Sequence, residues 1–157
     1  MFDDQDISFM QQAIALAQLA GANQEVPIGA VLVHKGKIIG EGYNQPIKLN
    51  DPSAHAEIIA IRSAGQALKN YRLLDTTLYT TLEPCVMCAG AIVHARIKKV
   101  IYAAPDPRFG AIHSAFSLNE ENQFNHHVEY HAGLLALESS QLIKEFFKNK
   151  RETSIHS

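Results

Sequence analysis

His55, Glu57, Cys85 and Cys88 are the residues of this chain whose types and spacing could do chemistry. Thiolates and a neutral imidazole are the ligands zinc prefers, and a Cys-x-x-Cys pair at a helix start lets both sulfurs reach one ion. A helix N-terminus also favours the thiolate form. By itself the Cys85/Cys88 pair stays open to three readings: a metal site, a redox dithiol beside a β-α-β unit, or two buried structural cysteines. His55 adds to the first reading, because it too stands near a helix start, and two helix heads can converge at one edge of a sheet. Three protein ligands leave a fourth position open, the mark of catalytic zinc, where water can be activated. Glu57, two residues on, points off the ligand's face and is placed to move protons. Each residue also has a plain reading: a histidine before an apolar helix is commonly structural, and a glutamate in a first turn commonly serves the helix dipole. His94, further along the cysteine helix, is an alternative fourth ligand that would make the site structural.

The elements that must position these residues can be read from capping and periodicity. Asp6 is a possible N-cap for a helix with Ile7, Met10, Ile14 and Ala17 at helical spacing, and Gly21 is placed to end it. "PIGAVLVHKGKIIGEGYN" predicts two strands joined by a hairpin at Lys35-Gly36, and the unbroken apolar run from Ile28 to Val33 predicts a strand covered on both faces. Asn50-Asp51-Pro52-Ser53 breaks the chain and offers caps for the helix that carries His55 and Glu57, which should end near Gly65 or Leu68. Residues 76–83 predict a strand, 84–95 a helix with Pro84 in its first turn, and 98–104 another strand, so this stretch is a β-α-β crossover. An irregular stretch over 105–125, a short fifth strand over His127 to Tyr130 and a closing helix after Gly133 complete the chain. Alternating elements of this kind argue for helices on both faces of a mixed sheet of about five strands.

Bulk properties narrow the classes. A length of 157 residues suits one domain over 1–157, and 46% hydrophobic with 19% charged residues is a globular composition. The acidic start is unlike a secretory signal and no apolar run reaches the length of a membrane span, which predicts a cytoplasmic protein without a membrane partner. Fourteen basic against sixteen acidic residues give a net charge of −2, so any nucleic acid must be met by a local patch and not by bulk charge.

The pattern H-x-E followed by P-C-x-x-C, here His55-Ala56-Glu57 and Pro84-Cys85-Val86-Met87-Cys88, is the zinc deaminase signature. With "EVPIGAVLV", "GYNQPI", "DPSAHAEIIAIR", "TLYTTLEPCVMCAGAIVHARI" and "GLLALESSQLIKEFFKNKR", the sequence resembles the bacterial tRNA-specific adenosine deaminases over nearly its whole length. The resemblance implies a three-layer α/β/α cytidine-deaminase-like fold and one Zn²⁺ per subunit on His55, Cys85 and Cys88. It implies Glu57 as general acid and base, and hydrolysis of adenosine to inosine at the wobble position of a tRNA anticodon arm. It also implies Asn44 as a hydrogen-bonding partner of the base and Asp106 in a loop along the RNA. A closing helix with Phe146, Phe147, Lys148, Lys150 and Arg151 would grip the anticodon arm. A homodimer follows from the same resemblance, with RNA and not DNA as partner. One departure stands out: His113 occupies a loop position where the family commonly has glycine, which predicts a differently shaped loop. The alternatives are a deaminase of free guanine or cytosine, or a catalytically silent zinc domain that binds RNA. A silent domain has no need of Glu57.

Overall fold

The structure is a computed structural model and describes residues 1–120 and 124–156. Helix α1 (Asp4–Ala22) starts earlier than predicted, because Asp3 and not Asp6 is its N-cap. The Asp6 N–H donates to Asp3 Oδ1 at 2.8 Å and the Asp3 N–H donates to Asp6 Oδ2 at 3.0 Å, a reciprocal capping box. Asp6 also accepts a 2.6 Å hydrogen bond from the Tyr79 hydroxyl, which ties the helix start to the sheet.

Strands β1 (Gly29–His34) and β2 (Lys37–Tyr43) form the predicted hairpin. Lys35 and Gly36 both have positive φ, 52° and 76°, as a two-residue turn matched to strand twist requires. β1 also pairs antiparallel with β3 (Thr76–Leu82). From β3 the chain crosses through α4 (Val86–His94) to β4 (Lys99–Ala104), which lies parallel to β3. β5 (Glu129–Ala132) then adds parallel to β4, two residues later than predicted, so the mixed sheet has the order β2-β1-β3-β4-β5. Residues 121–123 of the irregular stretch lie outside the described residues.

Successive residues of a strand face opposite sides, and both sides of β1 are covered as its apolar run predicts. Val31 packs with Met10, Tyr79, Ile101 and Leu134 on the side of α1 and the closing helix α5 (Ala136–His156). Leu32 packs with Ala60, Leu78, Ile92 and Val100 on the side of α4 and α3 (Ala56–Leu68). The result is three layers, α/β/α. Among the described residues no helix is long and apolar enough to cross a membrane.

Two further helix starts, those of α3 and α4, differ from the sequence reading. Asp51 spends its carboxylate on the N–H and hydroxyl of Ser53, so the 50–53 segment does not cap α3. His55 is the N-cap, but its side chain makes no capping bond, and the Ala56 N–H donates instead to Asn44 Oδ1 at 2.7 Å. Pro84 lies before the α4 cap, which is Cys85 in an extended conformation.

How deeply α3 seats on the sheet is decided by two glycines of β2. A Cβ at Gly40 would sit 2.8 Å from Ala64 N, and one at Gly42 would strike the Ala56 carbonyl and lie 2.7 Å from Ala60 N. Backbone cannot swing aside as a side chain can. Gly42→Ala is therefore expected to destabilise the fold by about 3 kcal/mol, the upper part of the overpacking range, and to lower zinc occupancy because α3 carries His55 at its head. Thermal denaturation with metal analysis checks this; an unchanged melting temperature would show that α3 is free to retreat.

Candidate active site and metal centre

His55 and Cys85 are both N-caps, of α3 and α4, and these helices lie side by side on one face of the sheet. Their heads meet, and Cys88 joins from the first turn of α4. His55 Nδ1 is 3.6 Å from Cys85 Sγ and 3.6 Å from Cys88 Sγ. A tetrahedral zinc with ~2.3 Å bonds to sulfur and ~2.0 Å to nitrogen would hold those atoms about 3.5 Å apart. The donor set fits the ion in chemistry and spacing. All three ligand atoms lie within 4.8 Å of one another, while His94 is exposed and outside this group, so the four-ligand structural reading falls. An imidazole facing both sulfurs equally is what a metal requires and a redox dithiol does not.

The electrostatics suit ion binding. Hydrogen bonding from Cys88, with help from His55, pulls the Cys85 thiol down to about 4, so it is a thiolate at neutral pH. The hydrogen bond to Cys85 and burial push Cys88 up, and the bond to Cys85 raises His55. An incoming zinc ion must displace the Cys88 proton. Glu57, 4% exposed in the first turn of α3, is raised to about 7 chiefly by burial. A carboxyl poised near neutrality can both take and return a proton.

These groups open into a cavity of 620 Å³ that His55, Glu57, Cys85 and Asn44 line at the metal end. Asn44 is buried and its oxygen accepts the Ala56 N–H, which holds the carboxamide in place with its N–H donors available to a ligand. A second wall is the 105–109 loop, where Asp106 Oδ1 accepts from Arg108 N at 3.1 Å and Phe109 N at 3.3 Å. Asp106 thus shapes a turn and lines the cavity at once. The third wall is the α5 stripe Ser140, Ile143, Lys144 and Phe147, spaced three and four apart on one helix face. Of the residues expected in RNA contact, Asn44, Asp106 and Phe147 reach the cavity. Lys148, Lys150 and Arg151 are exposed outside it, with Lys150 Nζ 5.2 Å from the Phe146 ring centre.

Sequence reasoning missed Lys144, Phe109 and Glu83 as lining residues. The α5 periodicity held a signal for Lys144, but which face turns to the cavity depends on how the helix docks. His113 has no positive φ, so a non-glycine residue carries no strain there; its Nδ1 pairs with the Tyr102 hydroxyl at 2.6 Å.

Comparison with known proteins agrees with this geometry. The family model for the cytidine and deoxycytidylate deaminase zinc-binding region matches residues 3–104. The chain is 50% identical over 148 residues to the tRNA-specific adenosine deaminase of Haemophilus influenzae, covering 94% of this chain and 86% of that one. It is 44% identical to the tRNA-specific adenosine deaminase of Buchnera aphidicola, over 96% of this chain and 99% of that one. A solved tRNA:A34 deaminase, from a study of A-to-I editing at the wobble position, superposes with a TM-score of 0.84 at 44% identity, covering 86% and 98% of the two chains. A guanine deaminase from Bacillus subtilis is 47% identical, but the match covers 66% of each chain and its TM-score is 0.62.

Proposed function

From the premise that the chain belongs to the zinc-binding cytidine and deoxycytidylate deaminase family, we propose that it deaminates adenosine to inosine hydrolytically at the wobble position of a tRNA anticodon arm. The observation that carries this reading is the His55, Cys85 and Cys88 donor set beside a buried Glu57, opening into a cavity of 620 Å³. The substrate reading is supported by identity held over length: a tRNA-specific relative is 50% identical over 94% of the chain, whereas one guanine deaminase covers 93% of it at 23% identity and another only 66%.

Held by His55, Cys85 and Cys88, the zinc supplies Lewis acidity that makes water a nucleophile near neutral pH. Glu57 accepts the proton that water gives up as it attacks C6 of adenine, delivers a proton to ring N1, and helps the 6-amino group leave as ammonia. Water and adenosine thus become inosine and ammonia, with Glu57 restored. Asn44 donates its amide N–H to the base and fixes its orientation. The target base must be unstacked to reach Glu57, and a single-stranded loop lowers that cost. Lys148, Lys150 and Arg151, exposed beyond the cavity on α5, are suited to the phosphates of the arm, so binding weakens as salt rises.

One domain spanning 1–157 acts in the cytoplasm as a homodimer. Supporting the dimer, Val86 and Met87, set between the two cysteine ligands, are 49% and 38% exposed, and Ile47 and Leu49 are exposed on the short helix α2 (Pro46–Leu49). Light scattering should then give twice the chain mass of 17.3 kDa.

The deciding experiment offers the purified enzyme an anticodon stem-loop with adenosine at the wobble position, beside free adenosine, guanine and cytosine, and follows ammonia. The stem-loop is expected to be the best substrate by about two orders of magnitude in kcat/KM, since binding energy outside the pocket is available to it alone. Good turnover of guanine with none of the stem-loop would replace this reading.

A further inference from the structure

Glu83 takes no part in the steps above, yet it is 2% exposed and directly follows β3, two residues before Cys85. A buried carboxylate is costly unless its oxygens are satisfied. Here every donor comes from one loop. Oε2 accepts the N–H groups of Ile112, His113 and Ser114 at 3.0, 2.9 and 3.1 Å. Oε1 accepts the Asp106 N–H at 3.1 Å and the Ser114 hydroxyl. Three successive N–H groups converging on one oxygen form an anion-binding concavity, filled by the protein's own side chain. Gly110 supplies an independent sign of the fit: a Cβ there would lie 2.6 Å from Glu83 Oε1. The loop backbone passes so close over the carboxylate that only glycine leaves room.

We propose that Glu83 is a positioning residue, whose carboxylate locks the 106–114 loop onto the Pro84-Cys85 turn and so sets the distance between the metal ligands and the Asp106 to Phe109 wall of the cavity. With five donors engaged, it has no capacity left to bind substrate or relay a proton, so it acts through the wall. The proposal rests on reading that wall as substrate-facing. It also joins two parts that the sequence separates: the Cys85 end of the strand and a loop more than twenty residues on.

Ser114→Ala removes one donor from an exposed side chain and leaves the strand intact, while Glu83→Gln keeps the volume and sets an amide donor against loop N–H groups. In the zinc-loaded enzyme, KM for the stem-loop is expected to rise about threefold in Ser114→Ala and at least about tenfold in Glu83→Gln, as loss of bonds to a charged group implies. kcat should move less than about threefold and zinc should stay at wild-type content, since the groups that react are untouched. Amide exchange at 112–114 should quicken in both variants. Unchanged KM with a lowered melting temperature would make Glu83 merely structural, and a loss confined to kcat would place it in the chemistry; either overturns the proposal. If Glu83→Gln does not fold, Ser114→Ala decides alone. If wild type turns over another base and not the stem-loop, the substrate reading fails and the same KM-against-kcat split on that base still tests Glu83.

Discussion

Glu57→Ala is expected to keep its zinc and its fold while turnover falls about 10²–10⁴-fold, the range for loss of a positioned general acid and base. The carboxyl stands in the first turn of α3, two residues beyond His55, and is not one of the three converging donors. Removing it leaves the metal centre whole. Three proton movements pass through this one group in the proposed reaction, so no neighbour can take over all of them. Because burial has raised the carboxyl to about 7, it is poised to exchange protons at neutrality, where an exposed glutamate would remain ionised. Glu57→Gln, which keeps the shape, should lose as much. Ammonia release at saturating stem-loop, beside zinc content and melting temperature, measures the effect; undiminished release from a zinc-loaded variant would end the mechanism.

Cys88→Ser should abolish activity by a different route, through loss of the ion. Cys88 is fully buried in the first turn of α4, where its thiolate form is favoured only when a cation shares the site. Because zinc binds the folded chain, its loss also removes stability, by about 4 kcal/mol when free zinc stands at a thousand times its dissociation constant. A chelator applied to the wild type should reproduce both effects, and dithiol reductants should produce neither. Metal analysis and thermal denaturation decide it: a Cys88→Ser protein with full zinc and wild-type melting would remove Cys88 from the ligand set.

The candidate site was legible in the sequence because each of its two residue pairs lies within one helical turn. His55 and Glu57 are two apart, Cys85 and Cys88 three apart, and local spacing decides which atoms can meet when the segment is a helix start. The Lys35-Gly36 turn and the crossover from β3 through α4 to β4 were legible for the same reason: the necessary signals are neighbours in the chain. Capping was less so. Asp3 and Asp6 are both good caps, and only the Tyr79 hydroxyl, reaching Asp6 from the sheet, shows why they share the task.

What the tertiary structure alone decided are the contacts between elements. Asn44 bonds the head of α3 from twelve residues away, and Glu83 binds a loop 23 to 31 residues away. No window of sequence pairs them. The stripe of α5 that carries Lys144 and Phe147 was present as a spacing, but its direction was set only when the helix packed beside α1 over β4 and β3. Residue type and spacing specify what a segment can offer along its own axis; close packing of glycine and alanine faces, as at Gly42 and Ala60, determines which offers meet.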